Sequence, residues 1–293
     1  MDAPTLLAAV LAAGQPADVF RRATYRAQLH AYLKLLHPDV CALPGADAAT
    51  ARLNEFAEQL RALDAPTDDA GPLRRVDERT FRFEGDPALL RQSRAGYERL
   101  RRLPGPAAGH FRQYLPAGLD EQPTGHLLAT GPGFLVPLRG LVLAPAHVGW
   151  VLSRLLELAA WLHQEGQVHG GFTPESLALV PATHGLVCWS FYHLRPLDGP
   201  LATVSARYLD WYPPAVFRDK QATPYVDVSL AQRTALYLLG DPSGHGVKLK
   251  KTLDPRLIDF LLTPHHDAYA TLGEWRTLLG QLFGKRQFHP LTL

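Results

Sequence analysis

Cysteine is nearly missing from this chain: Cys41 and Cys188 are the only two, far apart and in no metal-ligand spacing. A structural zinc site takes about four ligands clustered in pairs, so no metal is expected. Sparse, unpaired cysteine suits a reducing cytosol. An excess of one charge is missing too. Thirty Lys and Arg against 28 Asp and Glu leave a net charge of +2. Coating nucleic acid takes a concentrated excess of basic residues, so that class of function is set aside. No apolar run approaches the about 20 residues of a membrane helix. The stretch Leu6 to Ala13 is far shorter, has no basic leader and follows Asp2, so it reads as an amphipathic first helix rather than a targeting segment. There is no internal repeat, no low-complexity segment and no Gly-x-Ser-x-Gly elbow. What is present is a 293-residue chain, 46% apolar and 20% charged. That is the composition of a well-packed soluble protein, expected to be cytoplasmic, with length for two domains or one large one.

Three regions separate along the chain. Residues 1–64 are rich in Ala, Leu and Arg and read as helical. Residues 65–75, with Pro66, Asp68, Asp69, Gly71 and Pro72, gather the turn formers of a linker. Residues 76–293 alternate short strand-like stretches with helices, so the expected class is α/β in the α+β sense.

In the first region Tyr25, Leu29, Leu33 and Leu36 fall near one helical stripe, with Tyr32 beside it. Arg21, Arg22, Arg26 and Lys34 project from other faces. The helix stops at His37-Pro38-Asp39, because proline disfavours helical backbone at and before itself. A second helix is expected from about Asp47, a candidate cap, to Leu63, with Leu53, Phe56, Leu60 and Leu63 as its buried stripe. Two helices joined by a short loop make an antiparallel hairpin. This basic helix, the His-Pro-Asp loop and the following Leu53-Asn54-Glu55-Phe56 together resemble the J-domain of chaperone cofactors, with the family's tyrosine-leucine start replaced by the segment around Leu6 to Ala13. The resemblance implies that His37, Pro38 and Asp39 trigger ATP hydrolysis by a DnaK-type heat-shock chaperone. Arg21, Arg22, Arg26 and Lys34 would then steer the hairpin toward an acidic chaperone surface, since complementary charge chiefly raises the on-rate.

In the third region a strong helix, Val148 to Glu165, runs into Val168-His169-Gly170-Gly171-Phe172-Thr173-Pro174-Glu175-Ser176-Leu177. The apolar pair Leu177–Leu179 and Leu186–Trp189 follows. Helix, loop and hairpin in this order resemble a protein-kinase catalytic loop and its metal-binding strand. The string is similar to the His-Gly-Asp version found in bacterial kinases. Tyr212-Pro213-Pro214-Ala215-Val216 resembles the end of an activation segment. Asp227-Val228-Ser229-Leu230-Ala231 resembles the start of the long buried helix whose aspartate ties down the catalytic loop. His169 would likewise be structural, bonding nearby backbone. The implied fold is bilobal and kinase-like with a truncated small lobe.

The residues for chemistry are replaced. Phosphoryl transfer needs held phosphates, two ligated metals and a carboxylate that orients the nucleophile. Gly171 stands for the orienting aspartate and Ser176 for the metal-binding asparagine. Cys188 stands for the second metal ligand, and its thiol is a poor donor for magnesium, which prefers hard oxygen. Arg82, in the strand Phe81-Arg82-Phe83, takes the place of the phosphate-pairing lysine, and Ser93, in the helix Pro87 to Leu103, that of its glutamate partner. No glycine-rich loop precedes this strand. The sequence therefore describes no enzyme and no cofactor, but a pseudokinase that binds a protein client and recruits a chaperone through the hairpin. Two alternatives stay open. One is a pure scaffold with a degenerate hairpin; the other is an atypical nucleotide-using enzyme whose nearest carboxylates are Glu84, Asp86 and Glu175. His265-His266-Asp267, Lys248-Leu249-Lys250-Lys251 and Trp150, Trp189 and Trp211 read as polar loop, solvated basic patch and core or groove aromatics.

Overall fold

Three helices make the first part of the chain: α1 (Ala3–Ala12), α2 (Tyr25–Leu36) and α3 (Ala46–Asp64). The computed structural model describes residues 2–21, 24–64, 67–284 and 291. In it the chain divides into two compact units, residues 1–65 and 66–292. The first unit begins at a capped turn, where the Asp2 carboxylate accepts from Thr5 N at 3.0 Å with proline in the first helical turn. Leu6 and Val10 of α1 are buried, as are Tyr25 and Leu36 of α2 and Leu53, Phe56 and Leu60 of α3. Burying a side chain of this kind is worth about 1.5–3 kcal/mol, and this small core is what holds three short helices together. Leu29, Tyr32 and Leu33 are half-buried, as expected of the edge of a stripe, while the side chain of Leu63 and all of Arg22 lie outside the described residues. Asp47 does not cap α3. The helix starts one residue earlier, at Ala46, so Asp47 sits in its first turn, where a negative charge suits the positive end of the helix dipole.

The second unit is mixed helix and sheet, with small antiparallel sheets. Strands β1 (Leu73–Arg75), β2 (Thr80–Phe83), β3 (Gly118–Glu121) and β4 (Leu127–Thr130) form a sheet of order β1-β2-β4-β3, and α4 (Pro87–Arg101) intervenes between β2 and β3. A short helix, α5 (Pro106–Phe111), follows α4. Strand β5 (Val136–Pro137) joins the hairpin β7 (Leu177–Val180) and β8 (Gly185–Cys188), while β6 (Gln167–Val168) pairs with β9 (Arg195–Pro196). The helices α6 (Pro145–Gln164), α7 (Pro214–Asp219), α8 (Pro224–Leu238), α9 (Pro255–Leu262) and α10 (Ala268–Phe283) complete it. No helix among the described residues is long and apolar enough to cross a membrane.

Helices α6 and α8 are buried over most of their circumference, as helices enclosed by others are. Val148, Val151, Leu152, Leu155, Leu156, Leu158, Trp161 and Leu162 are buried on α6, and it packs against α8 and α10. Gly149 lets α10 approach: a Cβ there would lie 2.8 Å from Leu279 Cδ1. The indole N–H of Trp275 donates to Ser153 Oγ at 2.9 Å across the same seam.

The expected linker over 65–75 does not hold as a free segment. Residues from 67 onward are tied into the second unit: Leu73–Arg75 is a strand paired with β2, and Asp68 is buried. Turn-forming composition predicts the shape of such a segment, a tight turn closed by Asp68 N to Gly71 O at 2.8 Å. It says nothing about whether the turn is docked.

Candidate functional site

The loop between α2 and α3 presents the His-Pro-Asp tripeptide. His37 caps α2 with extended backbone, φ −58° and ψ 134°, as a residue before proline must. Its carbonyl accepts from Val40 N and Cys41 N, both at 2.9 Å, which closes the turn. The side chains of His37 and Asp39 are 49% and 87% exposed. His37 Nδ1 accepts from Asp39 N at 3.3 Å and lies 3.4 Å from Asp39 Oδ2, so the two side chains contact each other and otherwise face outward. Arg26 and Lys34 are exposed on α2, and so is His30 between them. These three stand at i, i+4 and i+8, one polar stripe about 12 Å long. His30 was legible from that spacing and is an addition to the sequence reading.

In the second unit, Asp227 on the first turn of α8 is fully buried and accepts three hydrogen bonds. They come from His169 N at 2.9 Å, Gly170 N at 2.7 Å and His163 Nε2 at 3.0 Å. Backbone donors of an irregular buried loop must find acceptors, and this carboxylate supplies them. His163, at the end of α6, is a partner that the sequence did not single out. His169 is itself enclosed, stacked on Phe172 at 4.4 Å. Its Nε2–H points at Ser190 O at 3.1 Å, and its Nδ1 accepts from Gly171 N at 3.2 Å. Burial lowers its pKa to about 4, so it is a neutral imidazole.

Cys188 Sγ lies 2.9 Å from His169 Nε2, a pairing that could suggest an activated nucleophile. Burial argues otherwise. It pushes the thiol pKa up and the imidazole down together, so the pair is a neutral thiol beside a neutral ring rather than thiolate and imidazolium. Ser176 Oγ donates to Gly171 O at 2.6 Å and accepts from Thr173 N at 3.2 Å, closing its own loop. Ser93 Oγ accepts from Phe191 N at 2.9 Å and is buried. A Cβ built on Gly171 would lie 2.8 Å from His193 Cδ2, so the space a larger side chain would need is already filled.

Arg82 does not face the interior of the second unit. Strand alternation sends successive side chains to opposite faces. Phe81 and Phe83 take the buried face, with ring centroids 4.9 and 5.8 Å from Trp189. Arg82 therefore points the other way, 41% exposed, and pairs with Glu84 at 2.5 Å beside Arg74. The inward positions of β2 are therefore aromatic. Two of the alternative carboxylates are also spoken for. Glu84 is held by Arg74 and Arg82, and Asp86 caps α4 by accepting from Ala88 N and Leu89 N. Glu175 is buried between Arg207 at 2.7 Å and Arg139 at 3.4 Å, and burial raises its pKa to about 7.

The densest polar cluster was missed by the sequence reading. Asp68 and Asp69, on the supposed linker, reach the 192–205 segment. Tyr192 OH donates to Asp68 Oδ2, His193 Nε2 to Asp69 Oδ2 at 2.9 Å, and Ser205 Oγ to Asp69 Oδ1 at 2.6 Å. The other ring nitrogen of His193 meets Thr203 Oγ1 at 2.9 Å. Asp68 Oδ1 accepts from Ala70 N and Gly71 N, and Ala70 O accepts from Asp86 N at 2.9 Å. Gly85 is needed under this turn, since a Cβ there would collide with Ala70 O at 2.0 Å. Burial drives the Asp68 carboxyl pKa up to about 7. An adjacent acidic pair in a turn-rich stretch was the available signal, and its composition hid it.

The three terminal polar residues diverge: His265 faces Glu274, His266 stacks on Tyr225 and Asp267 caps α10. Trp189 and Trp211 are buried, and Trp150 stacks on His184 at 4.8 Å. No protein-family model matches the chain, and no curated protein matches it.

Proposed function

We propose that this chain is a non-catalytic adaptor: a protein-kinase-like body that binds a protein partner, joined to a J-type hairpin that recruits a DnaK-type heat-shock chaperone to that partner. The observation that carries the non-catalytic half is the filled space at Gly171. Where the resemblance asks for an orienting aspartate, a side chain would begin 2.8 Å from His193. Oriented charge is the main currency of phosphoryl transfer. The neighbouring positions agree with this reading, since Ser93, Ser176 and Cys188 are each buried in local hydrogen bonds and the inward side chains of β2 are Phe81 and Phe83. The kinase-like half of the reading is supported by the helix–loop–hairpin run from α6 to β8. Asp227, on a separate helix, binds the backbone of that loop as the resemblance implies.

For the hairpin, support comes from the exposure of His37 and Asp39 and from the polar stripe Arg26, His30 and Lys34 on the helix before them. Joining the two modules in one chain raises the effective concentration of chaperone near the partner. The test is steady-state ATP hydrolysis by a DnaK-type chaperone with the wild-type chain and with His37→Gln. Stimulation by the wild type that the variant loses is the expected result. Equal rates with either protein and with neither would reduce the hairpin to a packing element and the chain to a scaffold.

A further inference from the structure

The side-chain donors that hold Asp68 and Asp69 all come from one short stretch of the second unit, 124 to 136 positions further along the chain. Tyr192 OH and Ser205 Oγ have no other acceptor among the described hydrogen bonds, and His193 is fixed from behind by Thr203. Nearby, Arg139 donates to Thr67 Oγ1 and, with Arg207, faces the single carboxylate of Glu175. Two guanidinium groups against one acid leave a local positive excess beside the acidic turn. A phenol, an imidazole and a hydroxyl aimed at two adjacent acidic side chains, with Arg139 and Arg207 nearby on Glu175, make a receptor for an acidic dipeptide. Burying acidic side chains is a costly way to pin a loop, because apolar side chains of similar size would do so without desolvating polar groups.

We infer that the surface formed by Tyr192, His193 and Ser205 is a binding site for an acidic peptide segment of the partner protein, and that the Asp68-Asp69 turn is its resident, internal ligand. A partner carrying an Asp-Asp or Glu-rich turn binds by displacing residues 67–71 from these donors. The site adjoins the 169–177 loop, since His193 is the side chain that fills the space above Gly171. Displacement therefore frees His193 and loosens the contact with that loop. The inference rests on the reading of the body as a partner-binding module and names the chemistry of that partner. The assay below contains no chaperone, so its failure and a failure of the hairpin are separate results.

The experiment uses fluorescence anisotropy of a labelled peptide that copies residues 66–72, Pro-Thr-Asp-Asp-Ala-Gly-Pro, added to the full chain. The Asp68→Ala/Asp69→Ala variant, its site emptied, is expected to bind the peptide about tenfold tighter or more than the wild type, a difference of about 1.4 kcal/mol. Adding Tyr192→Phe and His193→Ala to that variant abolishes the gain, and a peptide with both aspartates changed to asparagine does not bind. A cooperatively melting variant that binds no tighter than wild type, or binds the asparagine peptide equally, overturns the inference. If the variant does not melt cooperatively, hydrogen exchange on the wild type decides. Millimolar acidic peptide accelerates exchange at the Ala70 and Gly71 amides if the turn is displaced, and unchanged rates overturn the inference.

Discussion

In the first unit the His-Pro-Asp residues that carry its resemblance stand on the surface: the side chains of His37 and Asp39 are 49% and 87% exposed and make only weak contacts with each other. In the second unit the corresponding residues, His169, Gly171, Ser176 and Cys188, are all buried, and the polar ones are each bonded to backbone or to one another. An exposed side chain with no folding duty is constrained from outside, by whatever touches it. A buried side chain is constrained from inside, by packing and hydrogen-bond satisfaction. Packing and hydrogen bonding therefore account for the residues present in the loop, and they constrain the exposed side chains of the hairpin little.

The comparison can be broken most severely at Asp227. Asp227→Ala leaves His169 N and Gly170 N without their acceptor, and loss of about 3–5 kcal/mol is expected. All five tryptophans lie in the second unit, so urea denaturation followed by tryptophan fluorescence reads this unit by itself. An unchanged midpoint would mean that the carboxylate is not what holds the loop. Next in size is Gly171→Asp, which forces a side chain into the space of His193 and costs about 1–3 kcal/mol by overpacking. His193→Ala in the same chain recovers part of that loss in the same measurement, and neither variant gains kinase activity.

Acidity sharpens the contrast further. The Asp68 and Glu175 carboxyls both have pKa values raised to about 7 by burial. Each keeps its proton in the folded unit where the unfolded chain has lost it. Their stabilising contribution is whole below about pH 4 and lost as pH rises through about 7. The buried His169 opposes them, because its pKa is depressed to about 4 and its contribution grows as pH rises from 4 toward 6.5. Asp69, Tyr192, Arg139 and Arg207 also face these groups. Two falling terms against one rising term leave a net decline between pH 5 and 8, on the order of 2 kcal/mol. Asp68→Asn should flatten that decline, measured as the difference in denaturation midpoint from wild type at pH 5 and pH 8. Identical slopes would contradict the cause assigned. The smallest effect is expected at the surface: His37→Gln changes stability by no more than about 0.5 kcal/mol, seen as an unshifted melt of far-ultraviolet circular dichroism, even as it removes chaperone stimulation.

Elements with a strong period were legible from residues alone. The hairpin stripe, the buried α6 and the strands on either side of His184 follow from spacing and polarity, whereas the role of Asp227 on α8 came from the resemblance. What was not legible depended on direction or on distant pairing. Arg82 was placed by resemblance, and one-residue alternation in β2 turns it outward. Asp68 and Asp69 lay in a stretch whose prolines and glycine signal a turn, and nothing local says that their donors stand 124 residues away at Tyr192 and His193. His163 was hidden for the same reason, as an ordinary helix-end residue until α8 brings Asp227 to it.

The central claim is that the second unit is a binding module and not a phosphotransferase, and titration calorimetry of magnesium-ATP into the full chain tests it most directly. No saturable heat up to millimolar nucleotide, and no labelled phosphate transferred to the chain or to a general protein substrate, is the result expected. Saturable binding accompanied by transfer of the γ-phosphate would contradict the claim.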